Sequence, residues 1–295
     1  MFLATYKTTL KNLTRALLLW IAFMLVLAVA MEIAVGGYRT QVVFDENGEV
    51  KFPLEYINDY HPDFMHDYGD YVQTLMNASN SWIMNYSMPL FAVISVLLIL
   101  NRDYRDNFFE IEKAGGVKPR TYYFGRLAGI LTVNIIVGYF VYAFSVNWYF
   151  LRRNYLMHCD FTWGEYLSET FIRITRSFFC FSFLGILFYI AITYLVGTLM
   201  KSGFSGAVAG IGYLIFMRVG FNSALLRSGD LYNFLSPSPM HMSSYWGWYD
   251  SEWFNEKAFH NPWTTEELIL HTAILVGVSV IFLGAAYVLT RKRKL

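Results

Sequence analysis

The sequence predicts an all-α membrane protein with six transmembrane helices, and three observations carry that prediction. The first is composition: of 295 residues, 56% are hydrophobic and 19% aromatic, and only 15% are charged. A soluble domain carries about 25% charged residues, so a mean hydropathy of +0.36 belongs to the membrane class. The second is the run lengths. Six segments approach the ~20 apolar residues that cross a hydrocarbon core: Ala16–Gly37, Ser81–Leu100, Leu127–Tyr149, Ser177–Met200, Gly203–Gly220 and Leu268–Leu289. The third is the placement of charge. With the N-terminus inside, 14 of the 23 basic residues fall on the cytoplasmic side and 17 of the 22 acidic residues fall in outer segments. Lys and Arg on inner loops set orientation, so both termini are expected in the cytoplasm.

Residues 1–15 form the first expected element. Phe2, Leu3, Tyr6, Leu10 and Leu13 recur at helical spacing, with Lys7, Lys11 and Arg15 opposite. This is a basic amphipathic helix of the kind that lies in a membrane surface. It serves either as a simple anchor or as an elbow packed beside a partner subunit. No small-residue cleavage site follows it, so it reads as retained.

Residues 16–290 make one six-helix membrane domain, and 291–295 a basic cytoplasmic tail. Pro89 in the second span is tolerable as a kink. The fourth and fifth spans are separated only by Lys201 and Ser202, a tight helical hairpin. In the fifth, Ser202, Gly206 and Gly210 recur every four residues, a small-residue stripe that predicts a helix-packing or dimer face.

The stretch FFEIEKAGGVKPRTYYFGRL (108–127) interrupts the apolar chain between the second and third spans. Arg102–Glu112 reads as a charged helical extension of the second span. Gly115 and Gly116 permit a sharp turn. A new short helix starts with Pro119 near its first turn, and Tyr122, Tyr123 and Phe124 give it an interface-seeking face.

Two charges fall within spans. Glu32 in the first and Arg218 in the fifth both lie about 22–24 Å from the cytoplasmic ends at ~1.5 Å per residue. A buried intramembrane charge seeks a partner, so they pair with each other or snorkel outward to headgroups.

Two longer outer segments are expected, 38–80 and 222–267. The first contains DYHPDFMHDYGDY, with His61, Asp63, His66, Asp67 and Asp70. It reads as a solvated acidic face rather than a cation site, because no ligand spacing is diagnostic. The second carries Tyr245, Trp246, Trp248, Tyr249, Trp253 and Phe254, a composition for interfacial anchoring or substrate contact. Cys159 and Cys180 do not form a disulfide framework, and no metal site is predicted.

The chain carries no G-x-x-x-x-G-K-[ST] phosphate loop and no HExxH or G-x-S-x-G motif. No catalytic residue is therefore assigned, and uphill transport needs an outside energy source. The pattern Glu110-x-x-x-Ala114-x-Gly116-Val117-x-x-Arg120, then aromatics, then Gly125-Arg126-Leu127, resembles the loop after the second helix in ABC type-2 permeases. Those are membrane subunits of six-helix ABC exporters, with an elbow helix and a coupling helix that docks a separate ATPase. The likeness extends to the whole topology.

The resemblance implies docking contacts at Glu110, Glu112, Lys113, Lys118, Arg120 and Arg126, with Gly115, Gly116 and Pro119 setting the turn. It implies an ABC ATPase partner that holds ATP and Mg, and a second permease copy or homologue. It implies export of an amphipathic or hydrophobic substrate across a bacterial cell membrane, with no nucleic-acid partner. The rivals are a permease of the macrolide-exporter or lipoprotein-release type, and an ion-coupled carrier or membrane sensor without an ATPase.

Overall fold

The computed structural model describes residues 1–14, 18, 43–44, 50–51, 87–157, 175, 178–219 and 265–292. The first expected span with Glu32, except residue 18, the acidic stretch at 59–71 and the aromatic stretch at 245–254 lie outside them. The described chain is mainly helical: α1 (2–14), α2 (Met88–Arg105), α3 (Phe108–Ala114), α4 (Pro119–Met157), α5 (Phe183–Leu199), α6 (Gly203–Val219) and α7 (Thr265–Lys292). One turn of π-helix, Phe178–Ser182, leads directly into α5. The all-α expectation holds at this level, with one two-residue ladder beside the helices. Strand β1 (Val43–Phe44) pairs antiparallel with β2 (Val50–Lys51), Val43 opposite Lys51. Asn47-Gly48, a hairpin-favouring dipeptide, lies between them.

Among the described residues, two helical segments are long and apolar enough to cross a membrane, Pro119–Phe144 and Thr272–Lys292. Phe183–Leu199 and Gly203–Phe216 are apolar but shorter. Large apolar side chains face outward on several of them, including Ile136 and Phe140 on α4, Phe204 and Val208 on α6, and Val280 and Ile281 on α7.

Helix α5 is the centre of the bundle. It packs against α7, α6 and α2, and α6 also packs on α2. Glycines set how closely these helices approach. A Cβ at Gly203 would meet the Asn101 backbone nitrogen at 2.6 Å, and one at Gly197 would meet Leu100. At Gly206 it would strike the Thr193 carbonyl, and at Gly210 the Thr193 hydroxyl and Val93. Only hydrogen fits at those crossings, so the backbones come close and van der Waals contact is dense. Inside the bundle, Asn134 of α4 donates from Nδ2 to Ser95 Oγ of α2 at 2.8 Å, a buried polar crosslink between apolar helices.

Several boundaries differ from the sequence reading, each for a local reason. Pro89 lies near the start of the described part of α2, after the helical Ser87. The expected charged extension through Glu112 does not form. Helix α2 stops at Arg105, and Asn107 adopts φ 50°, a left-handed conformation that asparagine tolerates. The chain then enters the separate seven-residue α3. No short helix follows Gly116 either; α4 runs unbroken from Pro119 for 39 residues.

Candidate functional site

The interrupting stretch folds into a compact cap where α2, α3 and α4 meet α1. Its turn is built as the glycines require. Gly116 takes φ +84°, and its N–H donates to the Lys113 carbonyl at 3.0 Å. The Val117 N–H donates to the Glu112 carbonyl at 3.0 Å. These two bonds are the Schellman closure, which satisfies carbonyls that the end of α3 would leave open. Pro119 then opens α4 with its φ already helical.

At the centre of the cap is Arg126, whose side chain is 0% exposed. Its Nη2 pairs with Asp103 Oδ1 of α2 at 2.9 Å and lies 3.8 Å from Glu112 Oε1 of α3. Its Nη1 donates to Thr9 Oγ1 of α1 at 3.0 Å. The guanidinium also stands over the rings of Phe108 at 4.8 Å and Tyr122 at 5.2 Å. Thr5 of α1 donates to Glu112 Oε2 at 3.1 Å, and Thr9 donates to the Thr5 carbonyl at 2.8 Å. One buried cation therefore joins four helices. An arginine suits this position because its planar fork serves several acceptors at once.

The close approach of α1 to α4 makes the Thr9 contact possible. A Cβ at Gly125 would meet Thr5 at 3.0 Å, and one at Gly129 would meet Thr9 at 2.6 Å. Gly125 and Gly129 are four apart, a small-xxx-small groove, and Thr5, Thr9 and Leu13 are the buried stripe of α1. Phe2 and Leu3 of α1 point outward. Small hydroxyl side chains fit the glycine groove, where Phe or Leu would not.

The sequence-predicted docking residues divide into two sets. Lys118 and Arg120 are exposed, as are Gly115 and Gly116. Lys113, Pro119 and Glu110 are half-buried. Glu112, with a side chain 14% exposed, and Arg126 are turned inward and hold the cap together. Arg126 is thus corrected from a surface contact to an internal crosslink. Tyr122 and Tyr123 are also buried, not interface-seeking. Tyr123 donates to the Leu283 carbonyl of α7 at 2.7 Å, and its ring packs on Tyr194 and Tyr287. Ile111 stands out from α3 at 61% exposure, beside the turn.

The other predicted sites are placed as follows. Ser202 caps α6, accepting from the Ser205 N–H at 3.3 Å. Gly206 and Gly210 face α5 and α2 of the same chain, so this stripe is a helix-packing face already occupied within the chain. Arg218 lies on α6, its side chain outside the described residues, as is Glu32.

Asp103 is 2% exposed. Burial pushes its carboxyl up to about 6, against the opposing pull of Arg126. Sequence reasoning missed Asp103, Thr5, Thr9 and Gly129. The available signal was the Gly125–Gly129 spacing facing threonines at i and i+4.

Taken together, fold and cap define a mainly helical chain with membrane-length helices and a folded polar cap at the Lys- and Arg-bearing end of the bundle. Neither family models, curated proteins nor solved structures give a match to this chain.

Proposed function

We propose that this chain is the permease subunit of an ATP-driven exporter of the ABC type-2 kind, with α1 as elbow and α3 with its turn as coupling helix. The observation that carries this reading is the Arg126 crosslink. A loop that merely joins two spans has no need of a buried cation tied to four helices. A loop that takes force from another subunit does, because displacement of α3 must move α1, α2 and α4 together. The exposed Ile111, Lys118 and Arg120 leave an apolar point flanked by positive charge for an ATPase groove. The outward apolar faces of α4, α6 and α7 support a membrane setting, with both termini and the cap in the cytoplasm.

On this reading the chain works in a multi-pass dimer, with itself or a homologous permease. ATP and Mg are held by the ATPase subunits, and the cargo is amphipathic or hydrophobic: a peptide, drug or lipid-linked molecule. Reversal of the exposed charges tests it. Lys118→Glu with Arg120→Glu is expected to abolish ATPase association and transport while leaving the melting temperature of the isolated chain unchanged. Transport that persists without ATP, with no ATPase bound, would support the ion-coupled carrier instead.

A further inference from the structure

The cap sets one cation between two carboxylates. Arg126 Nη2 lies 2.9 Å from Asp103 Oδ1 and 3.8 Å from Glu112 Oε1, and the three side chains are 0%, 3% and 14% exposed. With both carboxylates charged, the three sum to one negative charge held away from water, which is costly until something neutralises it. The groups around Asp103 do not supply that neutralisation. Arg102, half-buried over the Phe108 ring at 4.9 Å, forms no ion pair among the described residues. Tyr122 of α4 bonds to the Asp103 carboxyl, and Tyr194 of α5 also faces it. Thr9, the contact from α1, is neutral. Glu110, Lys201 and Lys292 line the cavity that Asp103 borders. Glu110 adds negative charge, and the two lysines are exposed, where water screens them.

We propose that the cap is a proton-operated switch, in which one proton taken up by Asp103 passes the ion pair of Arg126 from Asp103 on α2 to Glu112 on α3. The proton goes to Asp103 because it is the more deeply buried carboxylate, and burial disfavours the charged form. The Tyr122 hydroxyl serves both states, since a hydroxyl donates to a carboxylate and accepts from a carboxylic acid. With Asp103 neutral, Glu112 is the anion left to Arg126, and a charge-assisted hydrogen bond draws the two together. Helix α3 is then held on α4 by that pair and on α1 by Thr5, which donates to the same Glu112 carboxylate at 3.1 Å. With Asp103 charged, Arg126 is held by α2 and its grip on α3 weakens. Helix α3 has seven residues and fully buries only Phe109, so an ion pair weighs heavily in its docking. The switch belongs to the cap itself and does not rest on the ATPase partner.

The test is hydrogen exchange of residues 108–118 in the purified full chain in detergent, at about pH 5 and about pH 7.5, with the intrinsic effect of pH on exchange divided out. Asp103 sits near 6 in the folded cap, and opening of α3 returns it towards about 3.9. The closed cap therefore binds the proton more tightly, and linkage makes its protection about tenfold greater at the lower pH. Asp103→Asn keeps an oxygen for Arg126 but does not titrate, so its protection is expected to be the same at both. Glu112→Gln removes the second carboxylate, so Arg126 and Asp103 balance and Asp103 stays charged; its exchange is also expected to be flat. Equal protection of the wild-type chain at the two pH values would overturn the inference. So would a pH response that survives in Asp103→Asn, or one undiminished in Glu112→Gln, which is what a merely structural Arg126–Asp103 pair predicts. The variants are read separately, so if one does not fold, the wild-type chain and the other still decide. Because no ATPase enters the assay, its outcome is independent of whether one docks on α3.

Discussion

Arg126 decides how the cap behaves at the scale of single residues. A buried ion pair is not in itself a strong stabiliser, because both charges lose water. Breaking it is costly, since one charge is then left alone in the interior. Arg126→Met or Asp103→Leu alone is expected to destabilise the fold by about 3–5 kcal/mol. The two together are expected to be near neutral, and thermal melts of the four proteins form the cycle that measures this.

Asp103 also predicts a pH dependence. Its carboxyl sits near 6 when folded, against about 3.9 in an unfolded chain. The folded state therefore binds the extra proton, so its contribution is fully present below about pH 4 and is lost as pH rises through 6. Stability should rise as pH falls from 7 towards 4, and that slope should be absent in the Asp103→Leu, Arg126→Met double variant.

Lysine 201 offers a third check. It holds φ 52° at the turn between α5 and α6, where the Ser202 N–H closes onto the Gly197 carbonyl at 2.9 Å. A side chain in the left-handed region costs about 1–2 kcal/mol. Lys201→Gly is therefore expected to raise the melting temperature of the chain.

At the scale of elements, the cap depends on how closely α1 lies on α4. Gly129→Val is expected to push α1 away, breaking the Thr9–Arg126 bond and costing about 1–3 kcal/mol through overpacking. Thr9→Ala in the same chain should recover part of the packing without restoring the hydrogen bond. Protease sensitivity of the first 14 residues, together with the melt, reads both effects.

Elements also show where the sequence was legible. The α5–α6 hairpin, the Gly116 turn and Pro119 at the start of α4 were readable, because glycine, proline and chain reversal act through local backbone geometry. Three things were not readable. Arg126 looks like Lys118 and Arg120 in a line of text, and only the Asp103 carboxylate, far along the chain, makes it internal. Thr5 and Thr9 looked polar, while their value lies in being small enough for a glycine groove. The break at Asn107 needed a left-handed residue inside a charged run that otherwise continues α2. In each case the deciding contact is between helices, which local pattern does not contain.

At the scale of the whole molecule, charge and greasiness are separated in space. The apolar bundle presents outward-facing Ile, Phe and Val on α4, α6 and α7, while the polar cap lies at its basic end. That arrangement fits a chain whose helices sit in lipid and whose motive force enters from one side. The most direct test of this account is purification of the chain from its native membrane in mild detergent, with ATP hydrolysis assayed in the purified complex. The account predicts a co-purifying phosphate-loop ATPase whose association is lost with Lys118→Glu and Arg120→Glu. An isolated chain with no associated ATPase, whose transport continues when ATP is withdrawn, would contradict it.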